Sequence, residues 1–294
     1  MLKKILQLKK FTYKYLLLGS NGLLGSELKK ILPKQNTICV ARNKSDINLN
    51  LENFNKLKKI FEKYKIKNVI NCVAITNLDD CEKNKLKCKK INLLLPNQLI
   101  EYSKKYGFKI VNISTDQVYC TKYKKKNKET DKVSYLNFYS KTKFLCEKDL
   151  KKTKKSLIIR TNFTGFKKDI KSTFVGWLLD SIKKKKKIYL FNDMHVSILD
   201  VKTCAKIIKK LIMLDAKGIY NVGTKYSLTK KDFTLKFSKK LKNKIYYLDK
   251  SVNSLRLKRP RFLALDVRKV EKKIKDKMIT PNASINNLIK EIPK

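Results

Sequence analysis

Three side chains near the middle of the chain have the right types to reduce a ketone together: Thr115, Tyr139 and Lys143. As hydride reaches a carbonyl carbon, negative charge grows on its oxygen, and a proton donor is needed there. A free tyrosine loses its proton at a pH of about 10. A neighbouring ammonium favours the phenolate and is expected to lower that value. A threonine hydroxyl can hydrogen-bond the reacting oxygen. Tyr139 and Lys143 lie four residues apart in "FYSKTKFLCE", so a helix would place them on one face. Such a pair arises easily by chance among 14 tyrosines and 72 Lys plus Arg. Its meaning depends on the elements that hold it.

Those elements alternate. Apolar, β-branched runs are expected as buried strands at Tyr15–Leu18, 37–41 ("TICVA"), 68–74 ("NVINCVA"), 108–114 ("FKIVNIS") and 156–161 ("SLIIRT"), with a short strand end at Asp46–Leu49. Between them, apolar positions at helical spacing predict helices from the glycines to Pro33 and over 51–64, 86–106 and 136–152. This alternation predicts a doubly wound parallel α/β sheet of the Rossmann type. Such sheets bind ligands at the C-terminal ends of their strands, where Ser114 and Thr115 fall. After about residue 161 the rhythm loosens. Helices are expected over 172–185 and 230–241, with short strands at "IYLF", "VSILDV" and "GIYNV". The expected division is a basic extension (1–13), a dinucleotide-binding domain (14–161), and a smaller C-terminal α/β substrate lobe (162–294) with segments returning to the sheet. In the extension, Leu2, Ile5, Leu6 and Leu8 form a weak apolar stripe.

The first strand runs into "GSNGLLG", with glycines at 19, 22 and 25. Between a strand and a helix, one glycine can make the tight turn, one admits a pyrophosphate to the backbone, and one lets the helix pack closely. The helix N-terminus then turns free N–H groups and a positive dipole end toward the phosphates. The spacing differs from the simple G-x-G-x-x-G. At the end of the second strand, where an acidic residue would bind the ribose hydroxyl of NAD, stands Arg42, which suits the 2′-phosphate of NADP.

The composition is strongly basic: 72 Lys plus Arg against 24 Asp plus Glu, a net charge of +48 over 294 residues. The lysines run the whole length, and no zinc-finger or aromatic RNA-binding motif accompanies them, so specific nucleic-acid binding is not expected. The field would still attract an anionic cofactor or substrate. Seven scattered cysteines contain no C-x-x-C pair, which argues against a disulfide framework or structural zinc, and no metal is expected. Reduced thiols fit a cytoplasmic protein. No apolar run approaches the roughly 18 residues of a membrane span.

Taken in order, "GSNGLLG", "NVINCVAITNLDDCE", "IN" at 91–92, "VNISTDQVY", "YSKTK", "RTNFTG", "GIYN" and "KRPRFLALD" resemble the extended short-chain dehydrogenase/reductases. Within them the set is most similar to the dTDP-4-dehydrorhamnose reductases and related sugar-nucleotide reductases. The resemblance spans roughly residues 14 to 272. It implies NADPH-dependent reduction, with NADH as the other candidate cofactor, of a 4-keto sugar on a nucleoside diphosphate for surface-polysaccharide synthesis, and allows a homodimer. By position, Tyr139 would donate the proton. Lys143 would lower its pKa and hold the nicotinamide ribose, and Thr115 would orient the keto oxygen. Gly19, Asn21, Gly22, Leu23, Leu24 and Gly25 would line the pyrophosphate, Asp46 and Ile47 the adenine, and Val73, Ala74 and Ile75 the rest of the cofactor. Thr76 and Leu78 would border the sugar, and Arg259 the diphosphate.

The departures fall on the substrate side. Gln117 and Phe163 stand where the family often has other residues, and "DMHVSI" (193–198) replaces its usual stretch. His195, the only histidine, is expected as an ordinary loop residue. Three rival readings remain: a non-catalytic NADP-binding subunit, an epimerase or dehydratase of the same superfamily, and nucleic-acid binding. Asp116 followed by Gln117 supplies only half of the acidic pair of a dehydratase.

Overall fold

The apolar runs of the first half become neighbours in one sheet. A computed structural model describes residues 11–167, 169 and 172–293. The strands are β1 (Phe11–Leu18), β2 (Thr37–Ala41), β3 (Ile47–Asn48), β4 (Tyr64–Asn71), β5 (Lys109–Ile113), β6 (Ser156–Thr161), β7 (Phe163–Thr164), β8 (Lys187–Phe191), β9 (His195–Val196), β10 (Leu199–Asp200), β11 (Gly218–Val222), β12 (Leu228–Thr229), β13 (Tyr246–Lys250) and β14 (Phe262–Leu263). Seven of them form a sheet in the order β11-β6-β5-β4-β1-β2-β3. Its neighbours are all parallel. The order reverses between β1 and β4, which opens a crevice at their C-terminal ends.

The helices are α1 (Leu23–Ile31), α2 (Asn55–Lys63), α3 (Leu78–Lys83), α4 (Lys85–Lys89), α5 (Leu95–Tyr106), α6 (Phe138–Leu150), α7 (Phe174–Lys183), α8 (Val201–Met213), α9 (Lys230–Lys240), α10 (Arg268–Ile274) and α11 (Pro281–Lys290). Alternate residues of each strand feed opposite faces of the sheet. Leu16 and Leu18 of β1 join Leu57 and Phe61 of α2, Leu99 of α5 and Leu150 of α6. Tyr15 and Leu17 join Leu24 and Leu28 of α1 and Ile208 and Leu211 of α8. Helices therefore cover both faces, as a wholly parallel sheet requires. The rest of the second half builds small sheets beside the crevice: β13 with β8, β7 with β10, and β9 between β12 and β14.

Several boundaries differ from expectation. Residues 11–13 belong to β1, and the stripe at Leu2, Ile5, Leu6 and Leu8 lies outside the described residues. β4 begins at Tyr64, within the last residue expected of a helix. "VSILDV" splits into the ends of β9 and β10, and Val201 opens α8 instead of extending a strand. The signal there was Asp200, whose carboxylate caps α8 by accepting from the Thr203 N–H. His195 lies in β9, stacked on Phe262, and not in a loop.

Candidate active site

The glycine loop is shaped by what cannot fit. Gly19 has φ +79°, and a Cβ there would approach Val73 to 2.9 Å. Its N–H donates to the Val40 carbonyl of β2 at 2.9 Å. Gly25 lies in the first turn of α1, where a Cβ would come 2.1 Å from the Gly19 carbonyl oxygen, so any side chain would push the helix off the loop. No side chain caps α1, and its first turn carries no acidic residue. Its leading N–H groups and positive dipole end are left for a ligand. Gly19, Asn21 and Gly22 face Val73, Ala74 and Ile75 across a cleft of about 410 Å³, with Arg42 on its rim. This cradle fits the pyrophosphate of a dinucleotide.

Asp46 and Ile47 are not brought to that cleft. The Asp46 carboxylate accepts from the Cys39 N–H at 2.8 Å, and Ile47 pairs with Val40 in the ladder. Leu78 is likewise turned inward, packed with Cys81, Cys88 and Tyr139.

A second cavity, about 370 Å³, opens from the first and shares Gly22, Val73 and Ala74 with it. Thr115, Tyr139 and Lys143 all line it, with Leu23, Leu24 and Thr76 on the cofactor side and Gln117 and Phe163 on the other. Each of the three central residues is at most 6% exposed. Asn137 and Ser140 form a reciprocal capping box that starts α6 one residue before Tyr139. Thr115 follows the end of β5, and its hydroxyl accepts from the Gln117 N–H at 3.2 Å. Lys143 reaches from α6 to the Ile113 carbonyl at 2.6 Å.

The electrostatics correct one expectation. Burial pushes the Tyr139 phenol well above its usual value, and the Thr115 hydrogen bond only partly offsets this. The Lys143 ammonium gives one of its N–H groups to the Ile113 carbonyl, and burial lowers its own pKa. Tyr139 therefore holds its proton at neutral pH, the form a proton donor needs.

Four supports were not legible in advance. Asn92 lies in a π-helical turn (90–94) before α5, and its side chain clamps Ile75, accepting from its N–H and donating to its carbonyl, both at 2.9 Å. Pro96, four residues on, has no N–H to give the Asn92 carbonyl, so the turn widens. Glu147 of α6 accepts from Ser114 at 2.5 Å and pairs with the fully buried Arg160 of β6 at 2.6 Å, tying α6 to two strand ends. The Ser114 hydroxyl is thus structural. Asn162 donates to Asp116 at 2.7 Å, and burial raises that carboxyl to about 6. Lys230 is the fourth. It lines a third cavity, about 390 Å³, that shares Gln117, Asn162 and Phe174 with the second and reaches Trp177, Tyr189 and Arg259. A larger cavity, about 860 Å³, lies by α5 and the end of α6 and holds none of the expected site residues.

The sequence matches the RmlD substrate binding domain family over residues 13–293. The chain belongs to that family. Among curated relatives, a spore coat polysaccharide biosynthesis protein of Bacillus subtilis is 30% identical over 71% of this chain and 73% of its own. A probable low-salt glycan biosynthesis reductase of Haloferax volcanii is 24% identical over 86% and 89%. A dTDP-4-dehydrorhamnose reductase from Bacillus anthracis, solved in complex with NADP, superposes with a TM-score of 0.86 at 22% identity, covering 96% of this chain and 99% of that one.

Proposed function

We propose that this RmlD-family protein is an NADPH-dependent reductase of a 4-keto group on a nucleoside-diphosphate-linked deoxysugar, making a precursor of surface polysaccharide. The observation that carries the reading is the placement of Thr115, Tyr139 and Lys143 in a buried cavity between a glycine-loop cleft and an aromatic, cationic arm. The relatives named for glycan and polysaccharide synthesis, and the NADP in the Bacillus anthracis reductase, support it.

In this reading NADPH, when bound, supplies the hydride. The open N–H groups of α1 would hold its pyrophosphate, and Arg42 would meet the 2′-phosphate. The clamp of Asn92 on Ile75 keeps the 73–76 loop against the cofactor. Lys143, bonded to the Ile113 carbonyl, would hold the nicotinamide ribose. Thr115 orients the keto oxygen, and Tyr139 gives it a proton. Apolar walls at Leu24, Val73 and Phe163 exclude water. Gln117, Phe163 and residues 193–198 leave the sugar itself open. The reaction belongs in the cytoplasm, and a homodimer is compatible with it.

A screen of NADPH oxidation against nucleotide-linked 4-keto-6-deoxysugars tests the reading. Consumption with at least one of them is expected. Tight NADPH binding with no turnover on any of them would favour the non-catalytic subunit instead.

A further inference from the structure

Two cysteines back the loop that lines the cofactor cleft. Cys81 of α3 and Cys88 of α4 stand seven residues apart. In one continuous helix they would be separated by about 10 Å along the axis. The helix breaks between them at Asn84, φ −126° and ψ 72°, which ends α3 and caps α4. The two sulfurs meet at 2.8 Å, both fully buried. The pair is asymmetric. The hydrogen bond it shares brings the Cys88 thiol below its ordinary value, against burial and with help from Thr142, Asn92 and the Lys143 charge. The same bond, with burial, pushes Cys81 up. One sulfur has the greater thiolate character and the other holds its proton beside it, as in a reactive cysteine poised next to a resolving one. Asn92 gives its amide N–H groups to the Ile75 carbonyl, at 2.9 Å, and to the Cys88 sulfur, at 3.3 Å. Cys81 Sγ lies 3.5 Å from the same carbonyl. Ile75 lines the glycine-loop cleft. A disulfide, with its sulfurs about 2.05 Å apart, draws Cys88 toward Cys81 and removes the Cys81 S–H, so the support of Ile75 changes on two sides.

We propose that Cys81 and Cys88 form a redox-modification site: a hydroperoxide oxidises them to an intramolecular disulfide that slackens the Asn92 clamp and weakens NADPH binding. The Cys88 sulfur takes one peroxide oxygen as the O–O bond breaks, giving a sulfenic acid and water. The Cys81 sulfur displaces that oxygen as a second water, and the S–S bond closes. Two thiols lose two electrons and two protons, and the peroxide becomes two waters. Burial limits the oxidant to one this small, and a small dithiol reverses the step by exchange. The disulfide rests on the thiol geometry; its effect rests on the reading of the glycine-loop cleft as the NADPH site.

Treating the whole protein with hydrogen peroxide, trapping the remaining thiols and mapping linked peptides by mass tests the bond. NADPH titration of the reduced and oxidised forms tests its effect. The wild type should lose two of its seven thiols to a Cys81–Cys88 link. NADPH affinity should fall about 2- to 10-fold, the worth of one hydrogen bond, and dithiothreitol should restore it. Cys88→Ser, compared with itself before and after peroxide, should show no such fall; if it does not fold, Cys88→Ala takes its place. Absence of the link, a link that leaves NADPH affinity unchanged, or an equal fall in the variant would overturn the proposal and leave the reductase reading intact. Reduced wild-type protein that does not bind NADPH would overturn both.

Discussion

At the scale of the residue, charge placement explains what each group can do. Arg42 is exposed at the rim of the cofactor cleft, free to meet a phosphate. Arg42→Asp should shift the ratio of kcat/KM values from NADPH toward NADH, and an unshifted ratio removes Arg42 from the account. Asp116 predicts a pH effect on stability. Burial raises its pKa from 3.8 to about 6, so between these values the folded protein holds a proton that the unfolded chain has released. Its contribution is most favourable below pH 3.8 and is lost as the pH rises through 6. In thermal unfolding, Asp116→Asn should therefore lack a fall in Tm between about pH 4 and 6 that the wild type shows. The residue types and spacing named Thr115, Tyr139 and Lys143 correctly as one cluster, but sequence could not price burial. That is why the expectation for Tyr139 counted the neighbouring ammonium and not the burial that pushes its pKa up.

At the scale of the element, α6 carries both Tyr139 and Lys143, and the Glu147–Arg160 pair ties it to β6. Glu147→Gln leaves a fully buried guanidinium without its counter-charge, which typically costs about 3–5 kcal/mol. A clear drop in the urea midpoint is expected, and an unchanged midpoint would show that the pair does not hold the helix. Strands 37–41, 156–161 and 218–222 were read at their observed bounds because both faces are buried and the apolar signal is continuous. Helices α3, α8, α10 and α11 were not foreseen. In α8 the β-branched residues before the Asp200 cap masked the change of period. The widened turn at Asn92 depends on a missing donor four residues away, which periodicity does not register.

At the scale of the molecule, three cavities lie in a row across the C-terminal edge of the sheet, and Thr115, Tyr139 and Lys143 line the middle one. The sheet and its crevice were legible because alternation and handedness leave few topologies. The outer arm was not, because Trp177, Tyr189, Lys230 and Arg259 come from four separate segments with no shared local pattern. The net charge of +48 acts over the whole surface. Any DNA binding it gives should be weak and vanish by moderate salt in a filter or anisotropy titration; salt-resistant, sequence-selective binding would contradict that reading. The most direct test of the central claim is the rate of NADPH oxidation with a dTDP-linked 4-keto-6-deoxysugar, wild type against Tyr139→Phe. The variant should keep its NADPH affinity and lose about a hundredfold or more in kcat; a variant that turns over at the wild-type rate would contradict the account.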